Sequence, residues 1–467
     1  MKRLTFILLG AILFLADAYS QNEVSGIYAG GHIRRGRPGT ITKLRNSGFT
    51  YLILFNVNVE ADGTLTTDGE TICKNGEYVF QQTQPYYQQD IKDLKTPPTG
   101  ISRIEICIGG WGNGSYGNIK NLISSRGTGP TSILYRNFKA LKEAVPEIDA
   151  VNNDTEQDYD AESAARFHIM MYDLGYQTTI APYTNMSYWT SLVSKIRASR
   201  PEAVDRAMIQ CYDGGAGNLN NVGSWNFPGV SQRHPGLLDY SNDWSVERNL
   251  AQFQAWKDQG VATGGFVWLF NDGYDETWNL NGWAAGLNRI FGPPLTTPED
   301  EIVVRCYSER NYGGYCIPLT EGTYMQPDLA LHGITANDIS SIEILDENYR
   351  VKLYTSVNCT GSYITRTASS KTLSTYDNKV CSMKVEVKPG GTGINGITAA
   401  EDILLTAERD NAIVENAKGE SLSIYDTAGK LVSRSQILTD SQAISLSTLP
   451  HGNYILRVAD KTVKVLR

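Results

Sequence analysis

Histidine is scarce in this 467-residue chain: there are five, scattered, with no cluster that could hold a catalytic metal. Positive charge is not in surplus either, and a net charge of −8 argues against nucleic acid or an anionic membrane as partner. Long apolar runs are missing beyond the extreme amino terminus. There, Met1-Lys2-Arg3 followed by Leu4 to Ala16 has the charged start and short hydrophobic core of a secretory signal peptide, too short to span a bilayer. Cleavage is expected between Ser20 and Gln21, so residues 1–20 are a leader and the exported chain carries no transmembrane segment. Cysteine is sparse, and its count of seven leaves at least one unpaired. Cys73, Cys107 and Cys211 are far apart, lack metal-site spacing and read as buried thiols; Cys306, Cys316, Cys359 and Cys381 crowd into one segment where local disulfides are expected.

The length implies two or three domains. Proline- and glycine-rich stretches at 293–300 and 389–398 read as linkers, dividing the mature chain into 21–292, 301–388 and 399–467. In the first segment, strand-like runs at Val24–Tyr28, Tyr51–Val57, Arg103–Ile108, Ile148–Glu156, Thr178–Tyr183, Ala207–Tyr212 and Gly264–Phe270 alternate with helical patterns such as Thr131–Ala144, Asn185–Ser199 and Val246–Gln259. That alternation predicts a parallel sheet covered by helices. The length suits a (β/α)8 TIM-type barrel, for which ~250 residues is typical, with one further strand expected around Gly236–Tyr240.

The most informative stretch is Ile148 to Glu156. As a strand it directs Asn152, Asp154 and Glu156 to one face, and a row of amide and carboxyl groups facing inward is costly unless the groups bond one another or a ligand. In a barrel, functional groups collect at the carboxyl ends of the strands. Those ends offer Gly109-Gly110-Trp111, Asp154 with Glu156, Tyr183, Tyr212-Asp213 and Trp268, with Tyr28 at the end of the first strand. Flat rings and carboxylates at one mouth suit a sugar, whose apolar face stacks on aromatics while acids handle its oxygens.

These residues resemble glycoside hydrolase family 18, the chitinases and endo-β-N-acetylglucosaminidases. Against the family's D-x-x-D-x-D-x-E the chain has Asp149-Ala150-Val151-Asn152-Asn153-Asp154-Thr155-Glu156; Cys107-Ile108-Gly109-Gly110 stands for S-x-G-G, Gln210-Cys211-Tyr212-Asp213 for M-x-Y-D, and Trp268 for the eighth-strand tryptophan. The resemblance implies retaining hydrolysis of β-1,4-linked N-acetylglucosamine, in chitin or in the chitobiose core of N-glycans, with no cofactor and with the substrate's acetamido oxygen as nucleophile. Glu156 would be the acid and base, Asp154 would orient the acetamido group and Tyr212 would bond its oxygen, while Asn152, where the family has a second aspartate, would still bond Asp154 but carry no charge. Asp213, Gln210, Trp268, Tyr183, Gly110, Trp111 and Tyr28 would contact the sugar. The alternative is a catalytically weak or silent glycan-binding barrel.

Residues 303–387 alternate like strands in two similar halves, Tyr307–Tyr315 paralleling Tyr354–Ser362. This resembles a double Greek-key βγ-crystallin domain, whose calcium pattern is degraded here: Asn337 and Ser340 in one half, Asp377 and Asn378 in the other, are the candidate weak Ca2+ ligands. Within it, pairs Cys306–Cys316 and Cys359–Cys381 would be clamps. From about Ala399 onward, alternating strands around Asp-Thr-Ala-Gly and Pro-His-Gly turns predict a small β-sandwich that looks like the C-terminal sorting domain of type IX secretion. That implies export through the periplasm by Sec and then the type IX machinery, to the surface or the medium.

Overall fold

The computed structural model describes residues 23–30, 32–239, 245–270, 279–293 and 298–389, together with 404–408, 411–415, 417, 420–426, 430–439, 441–447, 449–450, 452–458 and 461–466. The leader, most of the second linker and the central residues of the first lie outside the described residues, as do the tips of the last domain's predicted turns. Two compact units divide the chain near residue 386.

Eight parallel strands close a barrel in the larger unit: β1 (Ser25–Ala29), β2 (Tyr51–Leu54), β7 (Arg103–Gly109), β8 (Ile148–Asp154), β9 (Gln177–Ile180), β10 (Val204–Gln210), β11 (Gln232–Leu238) and β12 (Gly265–Phe270). Each is bonded to its sequence neighbour in the barrel, and β1 closes the ring against β12. Every residue of β1, β2 and β7 is buried, the pattern of strands covered on both faces. The covering layer includes α1 (Gly39–Ser47), α2 (Tyr87–Lys95), α3 (Ser115–Arg126), α4 (Ile133–Ala144), α5 (Ala161–Asp173), α6 (Met186–Ser199), α7 (Val246–Asp258) and α8 (Leu280–Phe291). Side-chain caps start several of these helices: Ser132, Asp160, Asn185 and Ser245 each accept a bond from a first-turn amide.

Three differences from the sequence reading have simple causes. The strand expected at Gly236–Tyr240 begins four residues earlier, because Arg206 to Gln210 of β10 needs partners from Gln232 onward. Helix α3 escapes a periodicity reading, since its first turn, Ser-Tyr-Gly-Asn, places a glycine inside the helix. After β2 the chain forms an antiparallel sheet of short strands, β3 (Asn58–Val59), β4 (Leu65–Thr67), β5 (Glu70–Lys74) and β6 (Glu77–Tyr78), whose polar turns read as loop.

The barrel and the segment that follows it pack as one unit. Helix α9 (Gln326–Leu331) lies against α1 and α8. Asn288 of α8 ties all three together: its Nδ2 donates to the Gly48 carbonyl at 2.8 Å and to the Ala330 carbonyl at 3.0 Å, and its Oδ1 accepts from Ser25 Oγ at 2.7 Å. Gly48 has φ of 91°, and a Cβ there would stand 2.2 Å from the Ala330 Cβ, so only glycine allows this approach. Beside it, Arg289 donates to the Gly333 carbonyl and lies over the Tyr315 ring, 4.4 Å from its centre.

This second domain consists of two antiparallel sheets. One has the order β14 (Cys316–Leu319), β13 (Val304–Tyr307), β16 (Ser341–Ile344); the other β15 (Gly322–Tyr324), β19 (Ser382–Val387), β17 (Tyr349–Tyr354), β18 (Tyr363–Arg366). Strand β15 of the first half pairs with β19 of the second, an exchange that fits the sequence duplication.

The expected disulfides are absent among the described residues: all seven cysteines are free. Cys316 sits opposite Tyr307 and Cys306 opposite Ile317, so the two thiols point to opposite faces of one hairpin, Cys306 inward and Cys316 to solvent. Cys381 directs its sulfur at Asn337 Oδ1, whereas Cys359 is held beside Ser382 and the Met383 carbonyl. As expected, Cys73, Cys107 and Cys211 are buried thiols.

The smaller unit is a sandwich of two antiparallel sheets, β20 (Leu404–Glu408), β21 (Asn411–Glu415), β24 (Ser441–Ser445) and β23 (Leu431–Gln436), β22 (Ser421–Asp426), β25 (Asn453–Val458), β26 (Lys461–Leu466). Its core joins Ala412, Val414, Leu422, Ile424, Leu456 and Val458. Strand β25 alternates strictly between exposed and buried, as a sheet with one solvated face requires.

Candidate active site

Strand β8 ends at Asp154, two residues short of the expected limit, because the Asp154 carbonyl turns to the Gly110 amide at 2.7 Å and the Thr155 amide bonds to Asn153 Oδ1 at 3.0 Å. Glu156 therefore stands on the loop just above the strand, and still faces the barrel mouth. A cavity of about 520 Å³ opens there, within the size range of small-ligand sites. Its lining brings together Asp154, Glu156, Gln210, Tyr212, Asp213, Tyr183, Gly110, Trp111 and Trp268, all of them expected from sequence. Two more lining residues, Phe55 and Gly214, were not singled out as ligands. Phe55 directly follows β2, and its place at the carboxyl end of a barrel strand was the signal available.

Glycine makes the rim possible. Gly109 and Gly110 have φ of 115° and 101°; a Cβ on the first would lie 2.2 Å from the Asp154 carbonyl oxygen, and one on the second 2.9 Å from the Phe55 ring. Trp111, next in sequence, is 89% exposed and presents a bare ring at the edge of the cavity. Trp268 forms the floor, edge-on to Phe55 at 4.7 Å and nearly parallel to Tyr212 at 6.2 Å.

Asp154 is buried: burial first, and the charge of Glu156 second, hold its proton well above the usual carboxylate range. One oxygen accepts from Gln210 Nε2 at 2.8 Å, and the Cys107 thiol lies 3.9 Å from the other. Half-buried Glu156 is also pushed upward, by burial and then by the negative charge of Asp213. The site thus holds two acids that keep protons beyond their ordinary range, and burial drives the Tyr212 phenol up as well.

Two predicted site residues lie below the cavity instead of lining it. Tyr28 is buried, its ring 5.1 Å from Trp268, and its hydroxyl donates to Asn152 Oδ1 at 2.9 Å. Asn152 spends its amide on Thr179 Oγ1 at 2.8 Å and on the Met208 sulfur, so the expected bond to Asp154 is replaced by the one from Gln210. The reason is β8's register. Thr179 lies opposite Asn152 on β9, and its own hydroxyl donates to Glu105 at 2.6 Å, which in turn is paired with Arg103 at 2.7 Å. Asn152 is the upper end of a polar column rooted at the base of the barrel.

The calcium candidates fit a cation poorly. Arg310 pairs with the Asp377 carboxylate and supplies the positive charge itself, Ser340 donates to Asn378 Oδ1, and Asn337 Oδ1 is taken by the Cys381 thiol. Among the described residues no group of three or more His, Cys, Asp or Glu could hold a metal. Nor is any described helix long and apolar enough to cross a membrane.

Residues 403–467 match the family model of the secretion system C-terminal sorting domain. Among solved structures, a βγ-crystallin domain from Flavobacterium johnsoniae is 32% identical, covering 19% of this chain and 99% of its own, with a TM-score of 0.19. The N-terminal domain of protein S is 26% identical over 19% of this chain and 98% of its own, at 0.18. A βγ-crystallin domain from Clostridium beijerinckii is 26% identical over 18% and 95%, at 0.17. No curated protein matches the chain by sequence. The chain thus carries a type IX secretion sorting domain and is exported by that machinery to the cell surface or the extracellular space.

Proposed function

We propose that the cavity is the active site of a family 18-like, TIM-type barrel that hydrolyses β-1,4-linked N-acetylglucosamine, in chitin or in the chitobiose core of N-glycans. The observation that carries this reading is the convergence of Asp154, Glu156 and Tyr212 on one aromatic-floored cavity. Glu156, whose proton affinity is raised by burial and by Asp213, gives its proton to the glycosidic oxygen as the bond to the anomeric carbon breaks. The neighbouring acetamido oxygen closes on that carbon from the opposite face. Tyr212 steadies this oxygen, and Asp154 accepts from the acetamido N–H, which orients the group for closure. Glu156, now a base, takes a proton from water as water opens the ring, so the product keeps its configuration. Trp268 and Trp111 stack on the apolar faces of the sugars.

One observation favours a second reading, a glycan-binding barrel without turnover: Asn152 makes no bond to Asp154 and cannot share its proton. Incubation with chitin oligosaccharides and, separately, with a high-mannose glycoprotein decides between them. Product with retained anomeric configuration from either supports hydrolysis and names the substrate; binding without product from both supports the silent barrel. For the second domain we propose a βγ-crystallin-like fold that acts as a fixed spacer against the barrel.

A further inference from the structure

The outward face of β8 should be apolar, since it turns toward the covering helices. Instead it carries Asn153, followed just past the strand's end by Thr155, both buried, beside the buried imidazole of His168 on α5. Their bonds have a single consistent direction. Asn153 Nδ2, which can only donate, lies 3.0 Å from His168 Nε2, so that nitrogen is the acceptor and the ring proton sits on Nδ1 and is given to Thr178 Oγ1 at 3.1 Å; Tyr116 Oη also lies 3.0 Å from Nε2. Burial pushes the imidazole down to about 3, so it stays neutral and this tautomer persists. With its amide nitrogen committed to the histidine, Asn153 can turn only its oxygen upward. That oxygen receives both the Thr155 amide at 3.0 Å and the Thr155 hydroxyl at 2.7 Å, and Tyr188 of α6 adds a donor to the same hydroxyl at 3.4 Å. Thr155 is the residue before Glu156, and these bonds are what bend the chain out of strand geometry there.

We propose that Asn153 and His168 are positioning residues that aim the Glu156 carboxyl into the cavity by fixing the backbone of Thr155. This inference rests on the reading of Glu156 as the proton donor, yet its geometry can be tested without turnover. The titratable groups facing Glu156 are Asp213, Asp154, Cys107, Tyr159, Tyr183 and Tyr212, and of these Tyr159 meets the Asn153 network, through its ring contact with Tyr188. Nuclear magnetic resonance titration of the Glu156 carboxyl carbon in the full chain is the experiment. In Asn153→Leu, which keeps the size but deletes the acceptor, and in Thr155→Val, which deletes only the hydroxyl, the Glu156 midpoint should fall by about half to one pH unit toward an ordinary glutamate. In Thr155→Ser it should stay at the wild-type value. Where wild type hydrolyses substrate, kcat should fall about tenfold or more in Asn153→Leu with KM within about twofold. An unchanged Glu156 midpoint in both disrupting variants, whatever their thermal stability, overturns the proposal. A wild type that titrates as expected but releases no product overturns the hydrolase reading and leaves the positioning role standing.

Discussion

Asp213 and Glu156 share one cavity wall, and the charge of the first raises the proton affinity of the second. Replacing Asp213 by Asn should lower the Glu156 pKa and move the alkaline limb of kcat to lower pH by about half a unit or more, read from a pH–rate profile. Asp154 gives a stability prediction of definite sign. Its folded-state pKa is raised, so its contribution is full below the ordinary carboxylate range and is lost as pH rises toward the folded value. Asp154→Asn cannot ionise; its thermal midpoint should match wild type near about pH 3 and exceed it increasingly toward pH ~8, while turnover collapses. The alternation of Asn152, Asp154 and Glu156 was legible in sequence because a strand's period is two. Where it misled was at Asn152: facing direction can be read along the chain, but the hydrogen-bond partner depends on Thr179 across the register and on Tyr28 from another strand.

At the scale of elements, the strands are recognisable as short apolar runs with β-branched residues, and the linkers as proline-rich breaks. What sequence could not reveal is which helix meets which. Asn288 looks like an ordinary polar residue of an amphipathic helix, yet it bonds the ends of two neighbouring segments and the start of β1. Asn288→Ala leaves two carbonyls and one hydroxyl without that partner, and should cost about 2–4 kcal/mol in denaturant unfolding. The disulfide expectation failed for a related reason: clustering along the chain does not fix the direction of a side chain, and the register of β13 with β14 sends Cys306 and Cys316 to opposite faces.

On the scale of the whole molecule, the barrel and the second domain form one unit and the sorting sandwich another. Ending the chain after residue 388 should leave turnover within about twofold, because the described lining residues of the cavity all belong to the larger unit, and should abolish export, because it removes the sorting domain. Ending it after residue 292 should instead expose the α1 and α8 surfaces that α9 covers, and lower the thermal midpoint. The most direct trial of the account compares wild type with Glu156→Gln on chitin oligosaccharides and on a high-mannose glycoprotein. Wild type should release product from one substrate, and the variant should lose at least about a thousandfold in kcat with glycan affinity preserved within a few-fold. Equal turnover by the two proteins would contradict the hydrolase reading.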